Sequence, residues 1–316
     1  MSRVAAIDCG TNSLRLLIAD VDAARASVDD IVRDMEIVRL GQGVDKTRRF
    51  AADALERTFT ACRKYAEEIS AHDVGRARFV ATSASRDATN RDEFFDGVRT
   101  ILGVDVEIVS GDEEARLSFA GATQELLVAA EVPAPYLVVD IGGGSTEFVL
   151  GERDVEAARS VDVGCVRLAE RHFASDPATA AQIDAARADV VAAIALAEQF
   201  VPVAKAQTLV GLAGSVTTIA ALALELPEYD AARIHHSRVS AAQVHDVSVR
   251  LLSMTRNERA ALAVMHPGRA DVIGAGALVL DTIMSRLNID EVVVSEHDIL
   301  DGIALGIADE IESFDR

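Results

Sequence analysis

The chain has 316 residues, of which 50% are apolar and 26% charged, and its formal net charge is −20. This length predicts two domains of roughly 150 residues each. The net negative charge argues against binding of nucleic acid or an anionic membrane through a broad basic face. A bound metal ion could still allow a small polyanion to bind at one site. No apolar run approaches the roughly 18 residues of a membrane span, and the amino terminus does not resemble a signal peptide. The three cysteines show no CxxC spacing, so we expect reduced thiols and a cytoplasmic protein.

The first predicted element is a hairpin of two apolar strands, residues 4–8 and 14–20, joined by a turn of small and hydroxyl residues. Asp8 ends the first strand, and Gly10, Asn12 and Ser13 lie in the turn. Backbone N–H groups in such a turn can close around an anion, because no Cβ stands in the way at glycine. The aspartate would not bind the anion itself and is better suited to a hard cation beside it.

The rest of the first half alternates between strands and helices. Residues 27–40 predict a third strand, and apolar residues at helical spacing from 55 to 69 predict a helix. Strands at 78–82 and 104–109 and helices at 93–102 and 112–124 follow. The segment Val132-Pro-Ala-Pro135 interrupts this pattern and predicts a domain boundary at 132/133.

The second half begins by repeating the first hairpin. Strands at 136–140 and 146–151 flank a turn that contains Gly142-Gly-Gly144-Ser145, and Asp140 ends the first of these strands. A strand at 155–163, a helix from about Gly164 and a helix at 180–199 follow. We further predict strands at 208–212 and 291–295 and helices at 240–253, 256–264, 269–287 and 297–314. Both halves therefore predict an α/β fold, and two related domains with a phosphoryl group in the cleft between them.

Several common nucleotide and metal motifs are absent from the sequence. There is no GxxxxGK[ST] and no GxGxxG after a strand, which excludes a P-loop and gives no support to a dinucleotide fold. His297-Asp298 has the form of a metal-binding dipeptide, but no histidines follow it, so we predict a helix start there. His235-His236 lies in a polar loop without ligand spacing, and we predict no zinc site.

The motifs, taken in their order, resemble the exopolyphosphatase and guanosine pentaphosphate phosphohydrolase (Ppx/GppA) family. The resemblance extends over essentially the whole chain. It implies two ribonuclease-H-like domains of the actin-like, sugar-kinase-like superfamily, at 1–132 and 133–316, with an interdomain cleft. The last helix, 297–316, could pack back on the amino-terminal domain. The segments that carry the resemblance begin with Asp8-Cys-Gly-Thr-Asn-Ser-Leu-Arg15 and Asp140-Ile-Gly-Gly-Gly-Ser-Thr-Glu147, and continue with 81–90, 110–119, 164–168, 213–218, 267–273 and 295–302.

The resemblance also implies roles for particular residues. Glu114 would be the general base that deprotonates the attacking water, and only the family match favours it over Glu113. Asp140 and Glu147, with Asp8 opposite, would hold Mg²⁺ or Mn²⁺. Substrate phosphates would contact Asn12, Ser13, Arg86, Gly143, Gly144, Ser145, Gly214 and Ser215, with Arg91 and Arg269 as further candidates.

The resemblance implies a Mg²⁺-dependent exopolyphosphatase that releases orthophosphate from inorganic polyphosphate. Short chains are expected to be preferred, because a long polyanion would meet mostly like charge on this acidic protein and because the helical domains that extend the groove in longer family members are not recognised here. The alternatives are a guanosine pentaphosphate 5′-phosphohydrolase and a non-catalytic phosphate or nucleotide sensor. We expect no nucleic-acid or membrane partner, and the sequence allows a homodimer.

Overall fold

The structure, a computed structural model, describes residues 1–22, 27–129 and 132–314. The chain forms two compact units, one of residues 1–124 with 298–316 and one of residues 125–297. The division after residue 124 precedes the expected boundary at 132/133 and lies within the helix Gly111–Ala129. The chain then returns to the first unit at residue 298, where a last helix begins.

Five strands form the sheet of the first unit, in the order β3-β2-β1-β4-β5. β1 pairs antiparallel with β2, and β2 with β3, whereas β1, β4 and β5 are parallel. The strands are β1 (Ser2–Cys9), β2 (Ser13–Asp22), β3 (Ser27–Ile37), β4 (Arg76–Ala81) and β5 (Val106–Ile108), and the helices are α1 (Val44–Thr47), α2 (Ala52–Ala71), α3 (Ser83–Asp87), α4 (Arg91–Leu102) and α5 (Gly111–Ala129).

The central strand of this sheet is buried on both faces. Side chains alternate along a strand, so Ala5 and Ile7 pack into one core with α2 and α4, while Val4 and Ala6 pack into another with the last helix. The continuous apolar run in β1 therefore reflects helices on both sides of the sheet.

The second unit repeats this topology in the order β8-β7-β6-β9-β11-β10. β6, β9 and β11 are parallel, and β6 to β8 form an antiparallel meander. Its strands are β6 (Tyr136–Ile141), β7 (Thr146–Gly151), β8 (Val155–Val161), β9 (Thr208–Leu212), β10 (Arg238–Ser240) and β11 (Glu291–Val294). Its helices are α6 (Cys165–His172), α7 (Ala180–Ala197), α8 (Ala213–Ala223), α9 (Ala231–Ile234), α10 (Ala241–Ser253), α11 (Arg256–Ala260) and α12 (Ile273–Leu287), and the last helix of the chain is α13 (Ile299–Phe314).

The α/β prediction is confirmed, and the differences in detail are local. The edge strand β10 is only three residues long and lacks an alternating signal. The helix predicted at 256–264 ends at Ala260, and the one predicted at 269–287 begins at Ile273. Among the described residues, no helix combines the length and apolar character needed to cross a bilayer.

Candidate active site

The hairpin of β1 and β2 carries the first predicted phosphate turn. Asp8 lies opposite Arg15 in the ladder, and the turn is closed by a hydrogen bond from Gly10 N–H to the Ser13 carbonyl at 3.0 Å. The carbonyls of Thr11 and Asn12 accept from backbone N–H groups of residues 38–41. The N–H groups of Thr11 and Asn12 donate to no acceptor in the part of the chain that the structure describes. Two donors of this turn are thus available to an anion.

Arg15 holds Asp8 from the neighbouring strand. Its Nη2 and Nε donate to Asp8 Oδ2 at 2.7 and 3.0 Å, and its Nη1 donates to Asp298. The other oxygen of Asp8, Oδ1, is buried and has no hydrogen-bond partner among the described residues. Burial raises the pKa of Asp8, an effect that Arg15 only partly offsets. Burial also acts to raise the pKa of Asp298, but Arg15 and Arg33 outweigh it, so that this pKa is lowered.

The short helix α3 connects the first turn to the predicted general base. The hydroxyl groups of Thr11 and Ser83 are hydrogen-bonded at 2.9 Å. Three residues further along α3, Arg86 Nη1 donates to Glu114 Oε2 at 2.7 Å and to the Val109 carbonyl at 2.9 Å. A chain of direct contacts within the first unit therefore runs from the turn to Glu114.

The two glutamates at the start of α5 lie in different environments. The Glu114 side chain is 11% exposed and is held by Arg86. The Glu113 side chain is 46% exposed and contacts Arg78 at 3.3 Å. Glu113 has the features of an ordinary helix-start charge, whose backbone N–H is capped by the Ser110 hydroxyl. The sequence alone could not separate the two, because both lie in the first turn of the helix.

The hairpin of β6 and β7 carries the second phosphate turn. Gly142 N–H donates to the Ser145 carbonyl at 3.1 Å, which matches the bond that closes the first turn. Within the described ranges, the N–H groups of Gly143, Gly144 and Ser145 donate to no acceptor. The turn therefore offers three unpaired donors to an anion.

The start of α6 supports the second turn from behind. The N–H groups of residues 165–167 donate to the carbonyls of Gly142 and Gly143 at 2.9 to 3.1 Å. A Cβ at Gly164 would lie 2.5 Å from the Gly143 carbonyl oxygen, which is too close for any side chain. Glycine at this position therefore allows the start of α6 to pack against the turn. The hydrogen bonds from α6 fix the orientation of the turn carbonyls and leave the N–H groups of the turn unpaired.

Asp140 and Glu147 lie opposite each other in the second hairpin. Both are buried, and the Ser160 hydroxyl donates to Glu147 Oε1 at 2.7 Å. Like charges directly opposite on neighbouring strands are destabilising, so a cation between them would offset the repulsion. The donors of this pair are all oxygen atoms, and this chemistry fits Mg²⁺.

The segment at the start of α8 brings Gly214 and Arg269 together. Arg269 Nη1 donates to the Gly214 carbonyl at 3.3 Å, and a Cβ at residue 214 would lie 2.1 Å from the guanidinium carbon. Ser215 is buried beside Gly276. Ala213, just before them, has a φ of +67°, a left-handed conformation that turns the chain directly from β9 into α8. Arg91, a further candidate, lies at the start of α4.

The predicted site residues are thus divided between the units. Each group is ordered by its own contacts, and the expectation that the groups face one cleft stays a prediction. The first unit contains Asp8, Asn12, Ser13, Arg86 and Glu114, and the second contains Asp140, Gly143, Gly144, Ser145, Glu147, Gly214 and Ser215.

Two sets of residues were missed by the sequence analysis. Arg15 and Asp298 are far apart in the chain, and no local pattern indicates that they form a pair. The sequence analysis also did not indicate that His235 and His297 lie beside Glu125. Only the tertiary structure reveals this cluster, because its members are far apart in the chain. Glu125 lies in α5, His235 directly follows α9, and His297 lies between β11 and α13.

Comparison with known proteins identifies the family to which the chain belongs. A model described as the Ppx/GppA phosphatase family matches residues 17–310. The chain is 54% identical to Exopolyphosphatase 2 of Mycobacterium tuberculosis, with 98% of this chain and 99% of that protein covered. It is also 33% identical to a bifunctional 3-dehydroquinate synthase/phosphatase of Fusobacterium nucleatum, over 95% of this chain and 46% of that protein.

Solved structures agree with these matches. An exopolyphosphatase-like protein is 46% identical and superposes with a TM-score of 0.93, covering 98% of this chain and 99% of the other. A Ppx/GppA family member from Aquifex aeolicus is 29% identical with a TM-score of 0.79 and 98% coverage of both chains. An exopolyphosphatase from Cytophaga hutchinsonii, at 24% identity and a TM-score of 0.88 over 98% of both chains, shares the fold.

Proposed function

Because the chain belongs to the Ppx/GppA phosphatase family, we propose that it is an exopolyphosphatase. It hydrolyses the terminal phosphoanhydride bond of inorganic polyphosphate and releases orthophosphate. The observation that carries this proposal is the part-buried Glu114–Arg86 pair, linked through α3 to a turn with unpaired N–H groups. Its relative at 54% identity, named an exopolyphosphatase, supports the choice of substrate.

In the proposed reaction, Glu114 activates water. The water oxygen attacks the terminal phosphorus while its proton passes to Glu114 Oε1, the oxygen other than the one that Arg86 contacts. The bond from phosphorus to the bridging oxygen breaks, and that oxygen leaves on the shortened chain. Arg86 orients the carboxylate through its hydrogen bond to Oε2, and a general base must be positioned in this way.

The phosphate oxygens would be held mainly by backbone donors. The unpaired N–H groups of both turns are fixed before substrate arrives, so they need little reorganisation as charge develops. Phosphoryl transfer needs positioning and electrostatic stabilisation more than covalent chemistry. A site that acts through positioned water and backbone donors could therefore suffice.

A divalent cation, Mg²⁺ or Mn²⁺, completes the proposed site. Asp140 and Glu147 would hold it, with Asp8 as the carboxylate that the first hairpin contributes. When bound, the ion would neutralise charge on the phosphate oxygens and on the leaving group. Asp140 and Glu147 would orient it, and Ser160 would fix the Glu147 carboxylate.

A phosphate-release assay on three substrates tests the proposal. Tripolyphosphate, long polyphosphate and guanosine pentaphosphate are compared at equal concentrations of chain ends, with and without Mg²⁺. We expect orthophosphate from polyphosphate and its loss on chelation. Release from guanosine pentaphosphate alone would identify the other activity of the family. Tight binding without release from any substrate would identify a sensor instead of an enzyme.

A further inference from the structure

Glu125, His235 and His297 form a compact group of possible metal ligands. One ligand atom from each residue lies within 4.8 Å of the other two. His235 Nε2 is 2.9 Å from Glu125 Oε2, and His297 Nδ1 is 3.5 Å from Glu125 Oε1. The rings of His235 and His297 are 4.6 Å apart between centroids. All three residues belong to the unit 125–297 and none is among the phosphate-site candidates.

The backbone around the cluster is held by close contacts. A Cβ at Gly121 would lie 1.8 Å from the Asp298 carbonyl oxygen, and one at Gly302 would lie 2.0 Å from the Leu117 carbonyl oxygen. These two glycines allow α5 to approach the start of α13 at backbone distance. Glu125 follows Gly121 by about one helical turn, and His297 directly precedes Asp298, so the contact brings their side chains together.

The loop that carries His235 is fixed by separate hydrogen bonds. Glu296 N–H donates to His235 Nδ1 at 3.2 Å, and His236 N–H donates to the Val294 carbonyl at 2.7 Å. The rings of His235 and His236 stack at 3.8 Å. The three side chains are therefore presented by supported backbone segments, as a metal site requires.

We propose that Glu125, His235 and His297 bind a divalent transition-metal ion of the Zn²⁺ type. In a tetrahedral zinc site with ligands at about 2.0–2.1 Å, neighbouring ligand atoms lie about 3.3 Å apart. The contacts from His235 to Glu125 Oε2 (2.9 Å) and from His297 to Glu125 Oε1 (3.5 Å) are close to this value, and one ligand atom from each residue lies within 4.8 Å of the other two. Two imidazoles and one carboxylate leave a fourth position for water or another ligand.

The donor set separates this site from the proposed Mg²⁺ site. Imidazole nitrogen favours Zn²⁺, Co²⁺ or Ni²⁺, whereas Mg²⁺ favours oxygen ligands. The three cysteines, which could compete for a soft metal, are all buried. Millimolar Mg²⁺ should therefore occupy the carboxylates without filling the histidine cluster.

Ligation replaces existing hydrogen bonds and so moderates the affinity. If His235 binds through Nε2, that atom no longer donates to Glu125, and its proton moves to Nδ1 or, from a cationic ring, to solvent. A proton on Nδ1 removes the acceptor of the Glu296 N–H. We therefore expect a dissociation constant in the micromolar range, weaker than that of a structural zinc site.

The position of the cluster in the chain implies that a bound ion would stabilise the fold. Glu125 and His297 are the first and last residues of their unit, and both of the points at which the chain passes between units lie beside them. An ion held by these residues and His235 would tie three distant chain segments together. Binding should therefore raise the midpoint of thermal unfolding.

Co²⁺ titration of the untagged protein in excess Mg²⁺ tests the proposal directly. Tetrahedral Co²⁺ with nitrogen ligands absorbs visible light much more strongly than hydrated Co²⁺. We expect one equivalent of bound Co²⁺, with displacement of the signal by Zn²⁺. His235→Ala and His297→Ala should each weaken binding by at least about tenfold, and Glu125→Gln should do so while keeping the side-chain shape.

His245→Ala is the matched control, because His245 is an exposed histidine paired with a carboxylate, Asp281, outside the cluster. It should bind Co²⁺ as the natural protein does. Circular dichroism and Mg²⁺-supported phosphate release by Glu125→Gln would show that this variant is folded. Absence of the visible signal in the natural protein would overturn the proposal, as would unchanged binding by the folded cluster variants or equal loss in His245→Ala.

Discussion

The two phosphate hairpins share a backbone and differ in one cross-strand partner. In both, an aspartate ends the first strand, and the turn is closed by a bond of 3.0 or 3.1 Å from a glycine N–H to a serine carbonyl. Asp8 faces Arg15, whereas Asp140 faces Glu147 at the corresponding ladder position. The first hairpin thus pairs opposite charges, and the second places two acids together.

This difference separates the roles of two otherwise equivalent aspartates. Arg15 neutralises one side of Asp8 and connects it to Asp298, so the first hairpin is held by its own ion pairs. Asp140 and Glu147 face each other across the ladder, and two neighbouring carboxylates are suited to a cation. A common turn can therefore present phosphate donors in both units while only the second hairpin offers a pair of acidic ligands.

The largest expected effect on stability comes from removing the arginine of the first hairpin. Arg15→Met would leave Asp8 and Asp298, whose side chains are 5% and 6% exposed, without this counter-charge. We expect unfolding by urea to show a loss of about 3–5 kcal/mol, as when one partner of a buried ion pair is removed. Arg3→Met is the control, since it breaks an exposed pair with Asp20 and should cost much less stability than Arg15→Met. Equal losses would contradict the structural role of Arg15.

A substitution in the second hairpin should change the concentration of Mg²⁺ that activity requires. Asp140→Ala keeps the N–H donors of the turn but removes one side of the acidic pair, and we expect the Mg²⁺ concentration for half-maximal activity to rise by about tenfold or more. Titrating Mg²⁺ in the phosphate-release assay measures this. An unchanged Mg²⁺ requirement, or full activity of the natural protein in excess chelator, would refute the metal role of Asp140 and Glu147.

The pH dependence of stability should differ between the two aspartates that flank Arg15. The folded-state pKa of Asp298 is lowered from 3.8, so its stabilisation is present above that value and is lost as the pH falls through the lowered pKa. The folded-state pKa of Asp8 is raised from 3.8, so stability falls as the pH rises through the raised value.

Neutral substitutions isolate these opposite trends. Relative to the natural protein, Asp298→Asn should lose stability at neutral pH and less at strongly acid pH. Asp8→Asn should become more stable relative to the natural protein as the pH rises from about 4 towards neutrality. Urea unfolding at a series of pH values measures both differences, and parallel curves for the two variants would contradict the assignment.

The smallest expected effect concerns substrate length. With a net charge of −20, the protein should repel the distant part of a long polyanion. We expect kcat/KM per chain end to be a few-fold higher for short polyphosphate than for chains of hundreds of phosphates. Added salt should narrow the gap through screening. Processive digestion of long chains, seen on a gel as loss of full-length substrate without shorter intermediates, would contradict this prediction.

Features that depend on neighbouring residues were predictable from the sequence. Both hairpins, the glycines of the second turn and the α/β order follow from apolar strands and small turn residues that lie together in the chain. The helix start after Gly164 was also predicted, although the reason for glycine there, its contact with Gly143, appears only in the structure.

Features that depend on tertiary contacts were not predictable. The pairing of Arg15 with Asp298 and the meeting of Glu125, His235 and His297 join residues with no common local pattern. α8 was missed because it is buried nearly all round and has no amphipathic stripe. The difference between Glu113 and Glu114 likewise arises from burial and from Arg86, which lies on another helix.

The most direct test of the proposed mechanism compares Glu114→Gln with Glu113→Gln. Both changes remove one carboxylate from the same helical turn, but only Glu114 is buried against Arg86. We predict that Glu114→Gln lowers kcat for phosphate release from polyphosphate by about 10²–10⁴-fold, with substrate affinity within a few-fold, while Glu113→Gln stays near the natural rate. Near-natural turnover by Glu114→Gln, or an equal loss in Glu113→Gln, would contradict the account.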